Sequence, residues 1–387
     1  MRILYHHRTL GDGAEGIHIR EMVKAFRKLG HEVTVAGPVG ESQRTGKGQQ
    51  GYLSRIKLLL PRIVFELLEV AYSAFCFVDL ARKAKALNAD FIFDRYITFN
   101  AGALWAARFC RIPFVLEVNA PLALERSNEA DEKLYLKSFA HTLERYVCGN
   151  ADMTLVVSTP LKSYLESIGV PKGKCVVMPN GVDQVKFQPR PKKSELIQKL
   201  GIPVDSVVVG FTGILRPWHG VEMLITAVED LKKSGKSVYL LIVGDGPIWE
   251  KLDKKIQEAG LSECSKITGR IAHEQIADYV SLFDVAVSPK ATFYSSPMKV
   301  VEYMSMGKAV VAPDSENLID MIDDGENGIL FEKDSIASLT DTLKILIDSA
   351  ELRQQMGQNA RTKVEKRLNW EWNAREVIKM VNAFVES

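Results

Sequence analysis

Two textures alternate along the chain. Short runs that are apolar at nearly every position, such as Ile3-Leu4-Tyr5, Phe114–Val118 and Val238–Val243, are separated by longer stretches in which apolar residues recur every three or four positions. Such runs fit strands buried on both faces of a parallel sheet, and the longer period fits helices laid on those faces. In the first half the pattern predicts strands at Ile3–Tyr5, Val33–Ala36, Phe91–Phe93, Phe114–Val118, Met153–Val157 and Val176–Met178, with helices over 16–29, Phe139–Val147 and Leu161–Ile168. It restarts at Val207–Thr212, runs through a helix over 220–233, Val238–Val243 and helices over 248–258 and 273–283, and reaches Val310–Ala312. Two similar α/β units are therefore expected. Between them, 186–206 carries Pro189, Pro191 and Pro203 around Lys192-Lys193 and reads as a linker. Over 370–386, Trp370, Trp372, Val377, Met380, Val381 and Phe384 recur at helical spacing, a buried or docking face. No repeat of 20–50 residues is present.

The length of 387 residues agrees with two domains rather than one. A composition of 46% hydrophobic and 25% charged residues excludes disordered and coiled-coil chains. The net charge of only +2 argues against a nucleic-acid partner. That sum hides an asymmetry: residues 1–190 carry a surplus of seven positive charges and the remainder a surplus of five negative ones, which suits a protein meeting an anionic surface on one side. Five scattered cysteines without a CxxC pair, and an N-terminus without a signal-peptide succession, predict a cytoplasmic protein. The apolar stretch 58–81 is long enough to span a bilayer but is broken by Pro61, Arg62, Glu66, Glu69 and Asp79. With Arg55 and Lys57 before it and Arg82, Lys83 and Lys85 after it, it reads either as a helix lying peripherally on an anionic membrane or as a buried helix of the first domain.

Candidate chemistry gathers in strand-to-helix turns. Gly11-Asp12-Gly13-Ala14-Glu15-Gly16 satisfies GxGxxG, but the next strand ends in Gly37-Pro38 with no acid for an adenosine ribose, which disfavours a dehydrogenase. A phosphate or sugar still suits such a turn; His18, beside it at the start of the first helix, is a candidate contact to phosphate or acceptor or else a helix-surface residue, and Asn119, pointing the same way as Glu117 on another strand end, a candidate for acceptor or donor hydroxyls. In the second half, Gly213-Ile214-Leu215-Arg216-Pro217-Trp218-His219-Gly220 brings Arg216 and His219 to a helix start, where cations can hold a diphosphate while its bond to a sugar breaks. Gly244-Asp245 and Arg270-Ile271 end neighbouring strands and should face the same crevice. Glu117 alternates with apolar residues on its strand and is a candidate base or a buried structural acid. The histidines and cysteines show no metal-ligand spacing.

Four segments in order give the chain a likeness: Met178-Pro179-Asn180-Gly181-Val182-Asp183, Val243-Gly244-Asp245-Gly246-Pro247, Tyr294-Ser295-Ser296-Pro297-Met298-Lys299-Val300-Val301-Glu302, and Asp323-Asp324-Gly325-Glu326-Asn327-Gly328. The chain resembles glycosyltransferase family 4, nucleotide-sugar enzymes of GT-B fold, in a subgroup found among bacterial surface-polysaccharide enzymes. The resemblance implies two facing Rossmann-like domains with a deep cleft, an acceptor-binding domain of residues 1–187 and a donor-binding domain of 188–369, with the helix of 370–387 crossing back onto the first. It implies a retaining, metal-independent transfer from a nucleoside diphosphate sugar, the only co-substrate and no further cofactor, to a carbohydrate or lipid-linked hydroxyl. Glu302 would accept both ribose hydroxyls; Ser295, Ser296, Pro297, Met298, Lys299, Gly213, Gly244, Asp245, Arg270 and Ile271 would surround the donor.

Departures accompany the likeness. The family carries two glutamates in this region, and where the first is expected stands Tyr294, with no acid in 285–301. The Arg and Lys that the family places in the turn after its second-domain strand are Ile214 and His219 here, with Arg216 displaced by two positions. An inactive nucleotide-sugar-binding subunit, or a sugar-nucleotide epimerase of the same fold, therefore remain alternatives.

Overall fold

The computed structural model describes residues 1–9, 13–37, 61–128 and 134–386. Gly11 of the first glycine turn and residues 58–60 of the apolar stretch lie outside the described residues.

The chain divides into two compact units, Met1–Pro179 with Trp370–Ser387, and Asn180–Asn369. In the first, β1 (Arg2–His6), α1 (Ala14–Lys28), β2 (Glu32–Ala36), α2 (Arg62–Leu87), β3 (Phe91–Arg95), α3 (Gly102–Cys110), β4 (Phe114–Val118), α4 (Leu122–Asn128), α5 (Lys137–Asn150), β5 (Met153–Val156), α6 (Thr159–Ser167) and β6 (Cys175–Val177) follow one another. The second comprises α7 (Ser194–Leu200), β7 (Val207–Thr212), α8 (Val221–Lys233), β8 (Val238–Val243), α9 (Trp249–Glu258), β9 (Ser265–Ile267), α10 (Ile276–Ser281), β10 (Val285–Val287), α11 (Met298–Ser305), β11 (Ala309–Pro313), α12 (Glu316–Ile319), β12 (Ile329–Phe331), α13 (Ile336–Asp348) and α14 (Ala350–Arg367). Each unit holds a six-stranded parallel sheet, in the orders β2-β1-β3-β4-β5-β6 and β12-β11-β10-β7-β8-β9. Strand order therefore reverses direction between β1 and β3 in one sheet and between β7 and β10 in the other. At such a reversal the loops leaving the two strands diverge and open a crevice at the carboxyl ends.

Local causes are visible. The central strands are buried at every position, which explains their unbroken apolar runs. Ser158 caps α6 by accepting from the Leu161 N–H, while Ser335 and Ser349 do the same for α13 and α14. The final helix, α15 (Trp370–Glu386), returns to the first unit, where Trp370 meets the His18 ring edge-on at 4.6 Å and Glu371 pairs with Lys28.

Three expectations change. The second unit begins at Asn180 rather than at 188, because Asn180 binds Ser296, Gln184 donates to the Val364 carbonyl, and the Phe187 carbonyl receives Ser305 and Arg361. The stretch 186–206 is not a bare linker: it contains α7, and Arg190 and Lys193 both pair with Asp278. Its prolines bracket a short helix instead of preventing one. The expected helix over 273–283 is a 3₁₀ turn at His273–Gln275 followed by the shorter α10.

Helix α2 shows what the apolar stretch around residue 70 becomes. Glu66 is buried, and its two oxygens accept from the Tyr135 N–H at 2.8 Å and the Leu136 N–H at 2.7 Å, at the entrance to α5. A carboxylate there satisfies orphan donors and complements the positive end of the helix. Glu66→Ala is expected to speed amide exchange at Tyr135 and Leu136 and to destabilise the first unit by about 2 kcal/mol, with Glu66→Gln intermediate. Native-state hydrogen exchange checks this; unchanged protection of both amides refutes it.

Candidate functional site

In the second unit the carboxyl ends of β7, β8 and β9 are zipped together by backbone. Gly213 N–H donates to the Val243 carbonyl and Leu215 N–H to the Asp245 carbonyl, each within about a tenth of an ångström of 3.0 Å. Gly244 N–H reaches Thr268 Oγ1 at 3.3 Å. Two glycines make the approach feasible. Gly244 has φ +152°, and a Cβ there would lie 1.9 Å from the Gly213 carbonyl oxygen; one on Gly246 would lie 2.4 Å from that of Leu215.

Against this platform stands the first turn of α11. Tyr303, fully buried, fixes the helix by accepting from the Thr212 N–H at 2.7 Å and lying 2.9 Å from the Thr212 hydroxyl. That anchorage presents Lys299 and Glu302. The Lys299 Nζ is buried without a hydrogen-bond partner, 4.3 Å from the centre of the Phe211 ring and against Gly213, where a Cβ would come within 3.1 Å of it. Burial lowers its pKa to about 7, partly countered by Glu302. Burial likewise raises the Glu302 carboxyl to about 7, against the attraction of Lys186 and Lys299. At neutral pH both groups stand near half-titration.

The β7–α8 turn adds less charge than its sequence suggests. His219 Nδ1–H donates to the Ile214 carbonyl at 2.5 Å, which leaves Nε2 as an acceptor in the neutral ring. Burial, with Lys299 and Arg216 nearby, pushes its pKa down to about 4, so His219 is neutral at pH 7 and is no resting cation. Arg216 is exposed and its guanidinium stacks on Trp218 at 5.0 Å. Arg270 and Asp245 are exposed at neighbouring strand ends, and Ile271 packs on the core.

The two serines fill other places than expected. Ser296 is buried; its hydroxyl accepts from the Asn180 N–H at 2.9 Å and donates to the Met321 sulfur. The Ser295 hydroxyl donates to the Thr292 carbonyl at 3.0 Å. Both shape the loop that delivers Pro297 to the N-cap and Met298 to the first turn of α11, and what they leave open there is backbone, since no side chain caps that helix. Tyr294, in the position of the expected acid, packs edge-on against Phe293.

The first unit closes its polar groups upon one another. His18 is buried rather than on the helix surface, with Nε2–H donating to Glu117 Oε1 at 2.6 Å, while Arg95 reaches Glu117 Oε2 at 3.4 Å. Burial alone raises the Glu117 carboxyl, but His18, Arg95 and Asn119 outweigh it and leave its pKa lowered. Held as an anion with both oxygens engaged, Glu117 orients His18 and is poorly placed to take a proton. At the glycine turn, Glu15 Oε1 accepts from the Gly13 N–H at 3.2 Å, so a carboxylate of the chain itself sits at the entrance to α1; Gly16 N–H closes on the Gly13 carbonyl. One cluster escaped the sequence: His6 Nδ1–H donates to Asp94 at 2.6 Å across the β1/β3 reversal, and its Nε2 lies 3.6 Å from Cys76 Sγ. Parallel pairing of β1 with β3 brings these residues together, which spacing along the chain could not reveal.

The family model Glycosyltransferase Family 4 matches residues 15–186, and Glycosyl transferases group 1 matches residues 192–363. Alpha-D-kanosaminyltransferase of Streptomyces kanamyceticus is 31% identical over 169 residues, covering 44% of this chain and 43% of that protein. Matches to two further curated relatives cover 62% and 65% of their lengths, so the chain spans less than two thirds of each. Among solved structures, sucrose-phosphate synthase from Thermosynechococcus elongatus aligns over 100% of both chains with a TM-score of 0.74 at 21% identity. Anabaena HepE in complex with UDP and glucose aligns over 99% of this chain and 100% of its own, with a TM-score of 0.71 at 18% identity. At these identities the structures establish the fold.

The zipped platform carries a stability prediction. Gly244→Ala should destabilise the second unit by roughly 2–3 kcal/mol, since the methyl cannot coexist with the Gly213 carbonyl and φ is one that only glycine adopts freely. Urea unfolding followed in that unit checks it, and a loss under about 0.5 kcal/mol contradicts it.

Proposed function

The chain belongs to glycosyltransferase family 4, its two family models together covering most of its length, and from that premise we propose that it moves a sugar from a nucleoside diphosphate sugar to a hydroxyl acceptor in polysaccharide or glycolipid synthesis. The carrying observation is the first turn of α11: a buried ammonium without a partner and a carboxylate without a hydrogen bond or ion pair among the described residues, side by side at an uncapped helix N-terminus. A diphosphate supplies the anion that Lys299 and the helix lack, and a ribose supplies two hydroxyl donors to Glu302.

In this reading the donor's pyrophosphate lies over Gly213 and the N-terminus of α11. Lys299, with Arg216 swinging off Trp218, neutralises the charge that grows on the leaving diphosphate as the sugar gains oxocarbenium character. These cations do so without a metal ion. Neutral His219 contributes an acceptor at Nε2 for a donor hydroxyl. Retention by front-face attack, with the leaving phosphate taking the acceptor proton, needs no general base from the protein. The acceptor, a carbohydrate or lipid-linked alcohol, is held at the carboxyl edge of the first unit's sheet. The family premise and the complex of HepE with UDP and glucose support a nucleotide-sugar donor, and the scattered cysteines support a cytoplasmic setting. Tyr294 in place of an acid favours a second reading, a binding subunit without turnover.

Donor affinity should be bell-shaped in pH with its maximum near 7. Above it, the free protein's Lys299 has lost the proton that diphosphate binding must restore; below it, Glu302 carries a proton that the ribose bonds must displace. Each limb approaches tenfold per pH unit. Lys299→Met should weaken binding at least about tenfold and flatten the alkaline limb, and Glu302→Gln should flatten the acidic one. Calorimetry with a panel of UDP-, GDP-, ADP- and dTDP-sugars checks this. No uptake of any of them, or variants that bind undiminished, overturns the assignment, whereas tight binding with neither transfer nor slow hydrolysis selects the binding subunit.

A further inference from the structure

Helix α2 is apolar on both faces. The face it turns inward carries Glu66, Ser73 and Cys76 and then Leu80, Ala81 and Ala84, whereas Ile63, Val64, Leu67, Leu68, Phe75 and Val78 face solvent. Leu67 is 54%, Leu68 53% and Phe75 64% exposed. A surface helix ordinarily keeps its outward face polar. The six outward residues fall at intervals of one, three, one, seven and three, so they form one stripe roughly 22 Å long. Phe109 of α3, 58% exposed, widens it, with its ring edge-on to Phe77 at 5.7 Å and beneath the Lys85 Nζ at 4.3 Å.

Charge identifies the occupant. Every acid of α2 is withdrawn from the outward face or neutralised: Glu66 is buried on backbone amides, Glu69 pairs with Arg126 at 2.8 Å, and Asp79 pairs with Lys83 at 2.6 Å. Two cations of its C-terminal turns stay exposed. Arg82 and Lys85 stand eighteen residues after Val64 and Leu67, five whole helical turns, and so continue the apolar stripe into an exposed basic end. A second copy docked on this stripe would set cation against cation in a parallel arrangement, and in an antiparallel one would leave both basic ends facing apolar side chains. An anionic bilayer answers both parts at once, and no described helix is long and apolar enough to cross it.

We infer that α2 is an interfacial helix that lies flat on an anionic membrane leaflet, with Leu67, Leu68 and Phe75 in the headgroup–acyl boundary and Arg82 and Lys85 among the lipid phosphates. This stands apart from the donor site and does not depend on it. Such a helix would bring the first unit to a lipid-linked acceptor.

The full chain is sedimented with vesicles of phosphatidylethanolamine containing about one-third phosphatidylglycerol, and with phosphatidylcholine vesicles, at low and high salt. Pelleting is expected on the anionic vesicles and should fall with salt. Leu67→Glu with Phe75→Glu should lower partition at least about tenfold, and Arg82→Gln with Lys85→Gln about 25-fold, at roughly fivefold per cation. All four positions are exposed, so melting temperature and nucleotide-sugar binding should be unchanged, which separates lost docking from lost folding. Absence of pelleting on anionic vesicles at low salt, or partition indifferent to Leu67→Glu with Phe75→Glu, overturns the inference. So does a dimer in sedimentation equilibrium that the same pair dissociates, which would give the stripe to a second copy.

Discussion

An ammonium buried without a hydrogen-bond partner is the constraint around which the second unit is arranged. Desolvating a charge is costly unless something pairs with it, and a lone group responds by giving up its proton. Lys299 sits at that point against a ring face and a glycine, its pKa drawn down to about 7 by burial that Glu302 counters only in part. Such a placement survives because its surroundings are over-determined: Tyr303 bolts α11 to β7, Asn180 ties down the Ser296 loop, and Gly213 and Gly244 lock the neighbouring turns at φ values closed to other residues. The energy withheld from Lys299 in the free protein is available to any anion that arrives.

The first unit solves the same problem the opposite way. Its buried charges arrive in completed partnerships, His6 with Asp94, His18 with Glu117, and Glu66 with two backbone amides. Mutual attraction holds His6 protonated, with its pKa raised to about 10 against the pull of burial. Completed pairs rigidify an edge without leaving it hungry for charge. An incomplete pair is the better receptor for pyrophosphate. The asymmetry in net charge between the halves of the chain does not report this difference, because what matters at each edge is which charges are already spent.

Legibility in the sequence followed the range of the interaction. Strands buried on both faces wrote themselves as apolar runs, so β4, β7 and β8 could be bounded to the residue. Helices α3, α4 and α7 went unread because seven to nine residues offer barely two turns of periodicity, and α3 is largely alanine and other buried residues with no polar face. Glu302 and Lys299 could be singled out because the likeness to a known family lies in one contiguous segment, 294–302, which needs no long-range contact to read. His219 was assigned a positive charge that only its surroundings could remove, and the serines a ligand that their loop had claimed first. The His6–Asp94–Cys76 cluster depends on residues up to 88 positions apart meeting across a strand pair, a contact with no local signature.

Helix α2 marks where reading by period is blind in principle. Its inward and outward faces are both partly apolar, so the two signals cancel along the sequence and the stretch resembles equally a core helix and a membrane-surface one. Only the fold breaks the tie, by showing that the polar residues Glu66 and Ser73 are the ones inside, each with partners: backbone amides for Glu66, and for Ser73 the Phe99 carbonyl and the Ala101 N–H. Once buried polar groups are satisfied internally, hydrophobic surface facing outward is no longer needed to hold the helix in place. An anionic membrane surface, the occupant inferred above, would offset its cost in water, and the basic end that prolongs the stripe suits such a surface.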